Sequence, residues 1–449
     1  MSNTWILISF VITLVALILM LTKLKLDPTI GLLSAAILAG LLTRMPLADI
    51  TSAISSGFGS TLSGLGMVVA FGCILAYYLE KSGAIDEMAK WLIRKLGPKN
   101  DIFALAIAGF IISIPVWMGA AWVMLAPLCK KLAKLTNKSI LRYVCALSVG
   151  LLLTHCCVAP TPGPLAVAGM IGANIGWFIF YGIIVTLPAL LIISLLYVNV
   201  YKKDEKACGK AVLDEAELAA SLKPDPTKPS AGHTIFLIFF PVILIVVGTV
   251  SGIVLPEGTA KDIIAFISNN NIALFISMLV TIFSLSKYFD KPVMSMFNDA
   301  LKTTEIVIIL GVGGSLAAVI TKSGIGDVLC STLLGFDMPI LVFAFILSAI
   351  LRVALSSSTT AMLTTVGIFA PIAQEVGASP VLVGLTICAA AVGFLIHTDT
   401  AFWLAAGLFD IDSKQTLRSL SVPTTIASLI TFAVILILSM FANVLPGLY

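Results

Sequence analysis

The chain has 449 residues, of which 59% are hydrophobic and 11% charged, and its mean hydropathy is +1.09. About a quarter of the residues of a soluble domain are charged, so this composition excludes a soluble domain of useful size. The net charge of +4 gives no indication of a nucleic-acid partner. Apolar stretches of about 17 to 25 residues, the length that crosses a bilayer, recur along the chain and predict a polytopic membrane protein.

The first half of the chain divides into apolar spans separated by breakers. The first span has no basic residue before it and no cleavage site after it, so we interpret it as a retained helix rather than a signal peptide. In chain order the sequence predicts spans at about 4–21, 28–43 and 60–80, an amphipathic stretch at 80–101, two short helices at 102–113 and 120–132, a broken helix at 139–173, and a span at 175–200.

Residues 201–232 are charged and then proline-rich, which is typical of a solvated linker and divides the chain near its middle. The second half then predicts spans at about 234–254, 272–286 and 303–321, a second short-helix pair around 352–361, a broken element centred on 397–400, and a last span at 422–445.

The broken helix at 154–174 (THCCVAPTPGPLAVAGMIGAN) is the most informative stretch. Pro160, Pro162 and Pro164 lack a backbone N–H and cannot lie inside a continuous helix, although both flanks are apolar. Inside a membrane, irregular backbone is tolerated only where it is buried in protein or lines a wet cavity. The break therefore predicts a binding site, with His155 just before it and Thr161 inside it.

The two short-helix pairs have no polar loop between their members. Only the apolar IPVWMG of residues 114–119 separates the first pair, and each helix is too short to cross comfortably. Such pairs are typical of re-entrant hairpins that enter and leave the membrane by one face.

The two halves resemble each other. LEKSGAIDEMAKWL at 79–92 matches ITKSGIGDVLCSTL at 320–333, VMLAPLCKKLAK at 123–134 matches GIFAPIAQEVGA at 367–378, and His155 matches His397, all at a similar offset. Five crossings and one hairpin per half would place the second half upside down. The sequence therefore predicts an all-α polytopic membrane protein with two inverted-topology repeats, 1–200 and 233–449, joined by a cytoplasmic linker at 201–232.

Basic residues test this topology independently. Loops on one predicted side hold 23 of the 27 Lys and Arg residues, and that side should be the cytoplasm of a bacterial inner membrane. Both termini are then predicted to lie outside.

Arg352 and Asp399 are ionisable groups predicted at membrane depth, where a charge costs at least about 2.5 to 3.5 kcal/mol. Arg352 either binds a carboxylate with its guanidinium fork or extends to the outer surface. Burial favours a neutral Asp399, which would let it bind and release a proton, but this residue could equally be the partner of Arg352 or a helix N-cap.

His155 and His397 occupy corresponding positions beside the two breaks, and each either takes part in function or is a buried neutral side chain that satisfies a backbone group. The five hydroxyls of 356–360 at the second hairpin tip suit the anionic and polar part of a substrate, although Ser and Thr also pack between membrane helices. The eight cysteines lack metal-site spacing and are interpreted as small packing residues.

At these residues the sequence resembles the gluconate permease family of sugar-acid:proton symporters. The resemblance runs from PLADITSAISSGFGSTLSGLG at 46–66, through APTPGPLAVAGMIGANIG at 159–176, to LRVALSSSTTAMLTTVGIFAPI at 351–372 and FWL at 402–404. It implies import of gluconate or a related hydroxy-carboxylate by proton symport, with no resident cofactor. Residues predicted to bind substrate are Thr161, Gly163, Asn174, Arg352, Ser356, Ser357, Ser358 and Thr359, and those predicted to carry the proton are Asp399, His397 and His155.

Two departures from the family pattern bear on these expectations. Gly119 stands where the family's first hairpin tip typically carries a glutamate, which makes Asp399 the candidate replacement. The second tip reads ALSSSTTA, so the substrate can differ from gluconate. The alternatives are sodium coupling, a D-serine or glycerate substrate, and an intramembrane hydrolase using one of the serines of 356–358 with His397. The sequence leaves open whether the chain forms a homodimer in the lipid membrane.

Overall fold

The computed structural model describes residues 2–96, 100–114, 118–207, 223–325, 328, 339–355, 357–396 and 399–448, and every regular element within them is helical. The first half contains α1 (Asn3–Thr22), α2 (Pro28–Leu42), α3 (Leu47–Thr61), α4 (Met67–Lys81), α5 (Ala84–Leu96), α6 (Asp101–Ile112), α7 (Met118–Thr136), α8 (Ile140–Cys157), α9 (Pro162–Ile171) and α10 (Ile175–Leu191).

The described residues of the second half are also helical. It contains α11 (Ala231–Val254), α12 (Thr259–Ser268), α13 (Asn270–Leu285), α14 (Phe297–Lys302), α15 (Ile306–Lys322), α16 (Ile340–Leu355), α17 (Ser358–Glu375), α18 (Pro380–Val392), α19 (Thr400–Phe409), α20 (Ser413–Thr416) and α21 (Val422–Ser439). The predicted breaks appear as the gap between α8 and α9 and the gap between α18 and α19.

Within the described residues, seven helical segments are long and apolar enough to cross a membrane, and an eighth qualifies if a bent pair is counted. The bent pair is α3 and α4, which meet at 52° across a π-helical turn, Leu62–Gly66. α2, with 15 residues, is shorter than a typical span. The larger number of crossings expected from the sequence, and the re-entrant path of the hairpins, stay predictions.

α3 corrects the sequence analysis, which began a span at residue 60 instead of a helix at Leu47. Its serines and glycines lower its hydropathy, but the small residues serve close packing. A Cβ atom on Gly57 would lie 2.4 Å from the carbonyl oxygen of Gly314, so the backbones of α3 and α15 are in contact. Small residues at such crossings are typical of membrane helices.

α8 lies at the centre of the fold, and the most apolar window of the Ile140–Ile171 segment is buried throughout. Its partner is α6. A Cβ atom on Gly150 would lie 2.2 Å from the carbonyl oxygen of Ala106, which shows how closely the two backbones approach. In the second half, α16 packs on α18 in the corresponding arrangement.

Helices of the two halves also pack across the repeat. α17, the second helix of the second hairpin, packs on α9, and α7, the second helix of the first hairpin, packs on α19. Lys130 in the C-terminal part of α7 pairs with Asp410, just after α19, at 2.5 Å. α9 begins directly after the first break, and α19 begins directly after the second.

The described parts of the linker contain regular structure and contacts that the sequence does not indicate. A 3₁₀ segment, Tyr197–Ala207, continues from the end of the first half, and residues 208–222 lie outside the described residues. The chain then contacts α5, where the Asp225 amide donates to Glu87 Oε2 at 3.2 Å and Thr234 Oγ1 donates to the Ala84 carbonyl at 3.3 Å.

Candidate functional site

The first break places a short helix N-terminus deep in the protein. Thr161 is buried, and its hydroxyl donates to the Val158 carbonyl at 2.6 Å, while its own carbonyl accepts the Leu165 amide at 3.1 Å. Pro162 and Pro164 have no N–H to offer. The Gly163 amide is therefore the N–H left for a ligand in this first turn, since it has no hydrogen-bond partner among the described residues.

Gly163 brings this N-terminus against the second hairpin. A Cβ atom at Gly163 would lie 2.5 Å from Met362 Cε and 3.6 Å from Thr359 Cγ2. The start of α9 therefore packs directly on the start of α17, and the predicted residues Thr161, Gly163 and Thr359 lie together.

The start of α17 is organised by two serines. Ser357 is the N-cap, and its hydroxyl oxygen accepts the Thr360 amide at 3.3 Å. Ser358 is buried and donates to the carbonyl oxygen of Ala391 at 3.1 Å. Ser356 lies outside the described residues.

The Ala391 carbonyl is a convergence point that sequence reasoning missed. It lies in the last turn of α18, where carbonyls have no partner within the helix. Besides the Ser358 hydroxyl, it accepts Arg352 Nε at 3.2 Å and the Cys156 thiol at 3.6 Å. This single carbonyl thus ties α8, α16 and α17 to the second break.

Arg352 and Asp399 form a buried ion pair through Arg352 Nη2 and Asp399 Oδ2, and the two residues are 1% and 3% exposed. Asp399 also caps α19, because its Oδ1 accepts the Ala401 amide at 2.7 Å. Both structural roles considered for Asp399 are thus present at once. The snorkelling alternative for Arg352 is wrong, since its guanidinium is held inside the protein.

Two buried nitrogen atoms at this cluster have no partner among the described residues: Arg352 Nη1 and His155 Nδ1. His155 is 6% exposed, in the last turn of α8, next to Cys156, whose thiol donates to the same Ala391 carbonyl as Arg352 Nε. A buried donor without a partner is costly, so such a group is expected to meet a ligand or water. Arg352 therefore keeps one arm of its fork available while the other holds Asp399.

Asn174 is not part of this cluster. It is exposed, lies beyond the C-terminal end of α9, and caps α10 by accepting the Trp177 amide at 3.1 Å. The ten residues of α9 separate it from Gly163 by about 15 Å. His397, like Ser356, lies outside the described residues.

Gly119 is a buried residue in the first turn of α7. α7 packs on α19, the helix that Asp399 caps. The position that carries a glutamate in the resembling family and the acid of this chain therefore belong to helices that pack on each other.

The arrangement suits the binding of a carboxylate. The groups available for a ligand are the free Nη1 of Arg352, the Gly163 amide and the hydroxyls at the start of α17. The N-terminal ends of α9 and α17 also favour negative charge. A many-spanned helical protein with a polar site of this kind between broken helices belongs to the class of membrane transport proteins.

Comparison with known proteins defines the family. Residues 5–441 match the family described as GntP family permease, and the chain belongs to it. It is 31% identical over 445 residues to the D-serine transporter DsdX of Escherichia coli strain K12, with 98% of this chain and 99% of the relative covered. It is also 31% identical over 447 residues to the gluconate permease of Bacillus licheniformis, with 96% and 98% covered.

Among solved structures, the YdaH transporter of Alcanivorax borkumensis, described as having an unusual topology, resembles this fold with a TM-score of 0.63 over 89% of each chain. At 16% sequence identity this likeness concerns the fold alone. The members of the family are named as permeases and transporters, so the chain is a transport protein and not an enzyme, which sets aside the hydrolase alternative.

Proposed function

We propose that this protein is a secondary transporter that imports gluconate or a related small hydroxy-carboxylate by proton symport. The observation that carries the proposal is Arg352, a buried cation whose Nη1 has no partner among the described residues. The family supports transport of small polar molecules, and a free guanidinium arm supports a carboxylate as the part recognised.

In the proposed bound state, the substrate carboxylate accepts hydrogen bonds from Arg352 Nη1 and from the Gly163 amide. The hydroxyls of Ser357 and Thr359, which are partly exposed at the start of α17, bind the first hydroxyl groups of the substrate. Ser358 and Thr161 already donate to backbone carbonyls, so they shape the site and leave binding to their neighbours.

Proton coupling follows from competition for Arg352. A substrate carboxylate on Arg352 Nη1 shares the single positive charge of the guanidinium with Asp399, so one of the two buried carboxylates is no longer compensated. Burial favours the neutral form of such an acid, so Asp399 takes up a proton as the anion binds. Release of the anion restores the pair and releases the proton. His155, whose Nδ1 has no partner among the described residues, is the second proposed carrier, and His397 the third.

The same proposal includes the topology. The two halves are inverted repeats with re-entrant hairpins, the linker at 201–232 is cytoplasmic, and both termini lie outside. The packing of α9 on α17 and of α7 on α19, each a contact between the two halves, supports this arrangement. Alternating access would then move the hairpin helices relative to the rest of the fold.

D-serine is the second candidate substrate, because the D-serine transporter DsdX is as similar to this chain as the gluconate permease is. D-serine would present its carboxylate to Arg352 and its ammonium group to Asp399, which would then stay charged.

The test is uptake into proteoliposomes under an imposed pH gradient, with sodium held constant and then varied. Labelled gluconate and D-serine are compared in the wild type, Asp399→Asn, His155→Gln and Arg352→Gln. We expect gradient-driven uptake in the wild type, none in Arg352→Gln, and gradient-insensitive uptake in the variant that lacks the carrier. Uptake that follows the sodium gradient alone would contradict proton coupling, and a fully active Arg352→Gln would contradict the binding mode.

A further inference from the structure

A polar cavity lies at the C-terminal end of α9. Its volume is about 650 Å³, and it is open and lined by the bend after α3, the α9–α10 loop and the segment from α11 to α13. A neighbouring cavity of about 200 Å³ shares Ser60, Thr61 and Met170 with it and extends the space between α15 and α17. Among the residues that the structure describes, none that lines either cavity is charged.

Asparagines give the larger cavity its chemistry. Asn174, Asn269 and Asn270 all line it. The Oδ1 of Asn269 accepts the Asn271 amide at 3.1 Å, just as Asn174 Oδ1 accepts the Trp177 amide, so the N-capping bonds fix both carboxamides with Nδ2 as the uncommitted group. Nδ2 carries two donors. The cavity therefore offers neutral hydrogen-bond donors, which match the oxygen atoms of a hydroxylated chain.

The cavity lies on the side away from the basic loops. α10 and α13 both begin at the cavity, and they end close to Lys202 and Lys287, in loops that the charge distribution assigns to the cytoplasm. The cavity then faces outside.

Part of the cavity lining comes from an insertion in the second half of the chain. Residues 255–269, which include α12, join α11 to α13, whereas residues 23–27 alone join α1 to α2 at the corresponding place in the first half. The lining residues Ala265, Ser268 and Asn269 come from this insertion, so the cavity is a feature that the repeat alone does not produce.

We propose that this cavity is an outer vestibule in which Asn174, Asn269 and Asn270 bind the hydroxyl oxygens of the substrate before its carboxylate reaches Arg352. The vestibule selects for a hydroxylated chain, and Arg352 selects for a carboxylate. This inference rests on the proposed function, since it concerns the same substrate.

The first experiment tests access. Asn270→Cys is exposed to a membrane-impermeant maleimide in intact cells, with the wild type as background and Asn298→Cys, an exposed position in α14 near the basic loops, as the matched control. We expect labelling of position 270 in intact cells, slowed several-fold by excess gluconate, and labelling of position 298 only after permeabilisation. Labelling of position 270 only after permeabilisation would overturn the vestibule.

The second experiment tests recognition. Asn269→Ser keeps a side-chain oxygen for the N-cap of α13 and removes the carboxamide donors. Loss of one hydrogen bond predicts a rise of roughly 3- to 10-fold in the KM for gluconate with kcat nearly unchanged. Asn298→Ser should behave as the wild type. A wild-type KM in Asn269→Ser combined with Asn270→Ala would overturn the proposal, whereas absence of uptake in the wild type would instead mark failure of the proposed function.

Discussion

Replacement of Asp399 by asparagine isolates the charge of the buried ion pair from the other role of this residue. Asparagine caps helices about as well as aspartate, so the bond to the Ala401 amide can persist. The variant loses the negative charge that faces Arg352, a residue that is only 1% exposed. The remaining partners of the guanidinium are then the Ala391 carbonyl and a neutral amide.

The expected loss of folding stability depends on the charge of Arg352, which stays buried after the substitution. Removal of one member of a buried ion pair typically costs about 3 to 5 kcal/mol, because the other charge stays buried without compensation. Loss of an N-cap alone would cost about 1 kcal/mol. Asp399→Asn should therefore destabilise the protein by clearly more than a capping defect does, and Arg352→Gln, which leaves the carboxylate alone, should do the same.

A double-mutant cycle measured by unfolding in detergent checks this reasoning. In Asp399→Asn combined with Arg352→Gln both charges are gone, so the double variant should be more stable than the sum of the single effects by about 2 kcal/mol or more. Asp410→Asn is the control, because its pair with Lys130 is exposed and should contribute less than about 1 kcal/mol. Additive single effects would refute the claim that Asp399 compensates the charge of Arg352.

Other predictions concern the close contacts and the cap around the site. Gly150→Ala places a Cβ against a backbone carbonyl of α6 and should lower the unfolding temperature, at a cost of about 1 to 3 kcal/mol, whereas Gly232→Ala, which meets nothing within 4 Å, should not. Gly163→Ala meets only the flexible end of Met362, so we expect normal expression with reduced uptake, restored in part by Met362→Ala. Ser357→Ala removes the cap of α17 and should destabilise the protein by about 1 kcal/mol, whereas Ser357→Asn should retain the stability of the wild type in the same melting experiment.

The breaks could be predicted from sequence because a proline interrupts a helix through its own missing N–H, whatever its neighbours are. Pro160, Pro162 and Pro164 cannot supply backbone donors, whatever surrounds them, and α8 indeed ends before them. Arg352 and Asp399 could be singled out because charges are rare at membrane depth. Their pairing was one of several open alternatives, since it depends on how α16 meets the second break.

The Ala391 carbonyl could not be predicted, because any residue type supplies a carbonyl and only the end of α18 makes this one available. α3 was missed for a related reason. Its Ser and Gly residues look like a loop to a hydropathy scale, and their use, close contact with α15, is visible only in the packed structure. Asn174 was predicted to bind substrate together with Arg352, but it lies one helix length from the start of α9.

That separation constrains how a substrate can be recognised. α9 reaches from the Arg352 cluster at its start to the asparagine-lined cavity at its end, a length of about 15 Å. A six-carbon acid is shorter than this, so its carboxylate cannot contact Arg352 while its hydroxyl chain contacts Asn174. In the proposed function, the two selections therefore act in sequence on the same molecule. A ligand with only the carboxylate or only the hydroxyls would then pass one selection and fail the other, and the proposal predicts a transport specificity that exceeds that of either site alone.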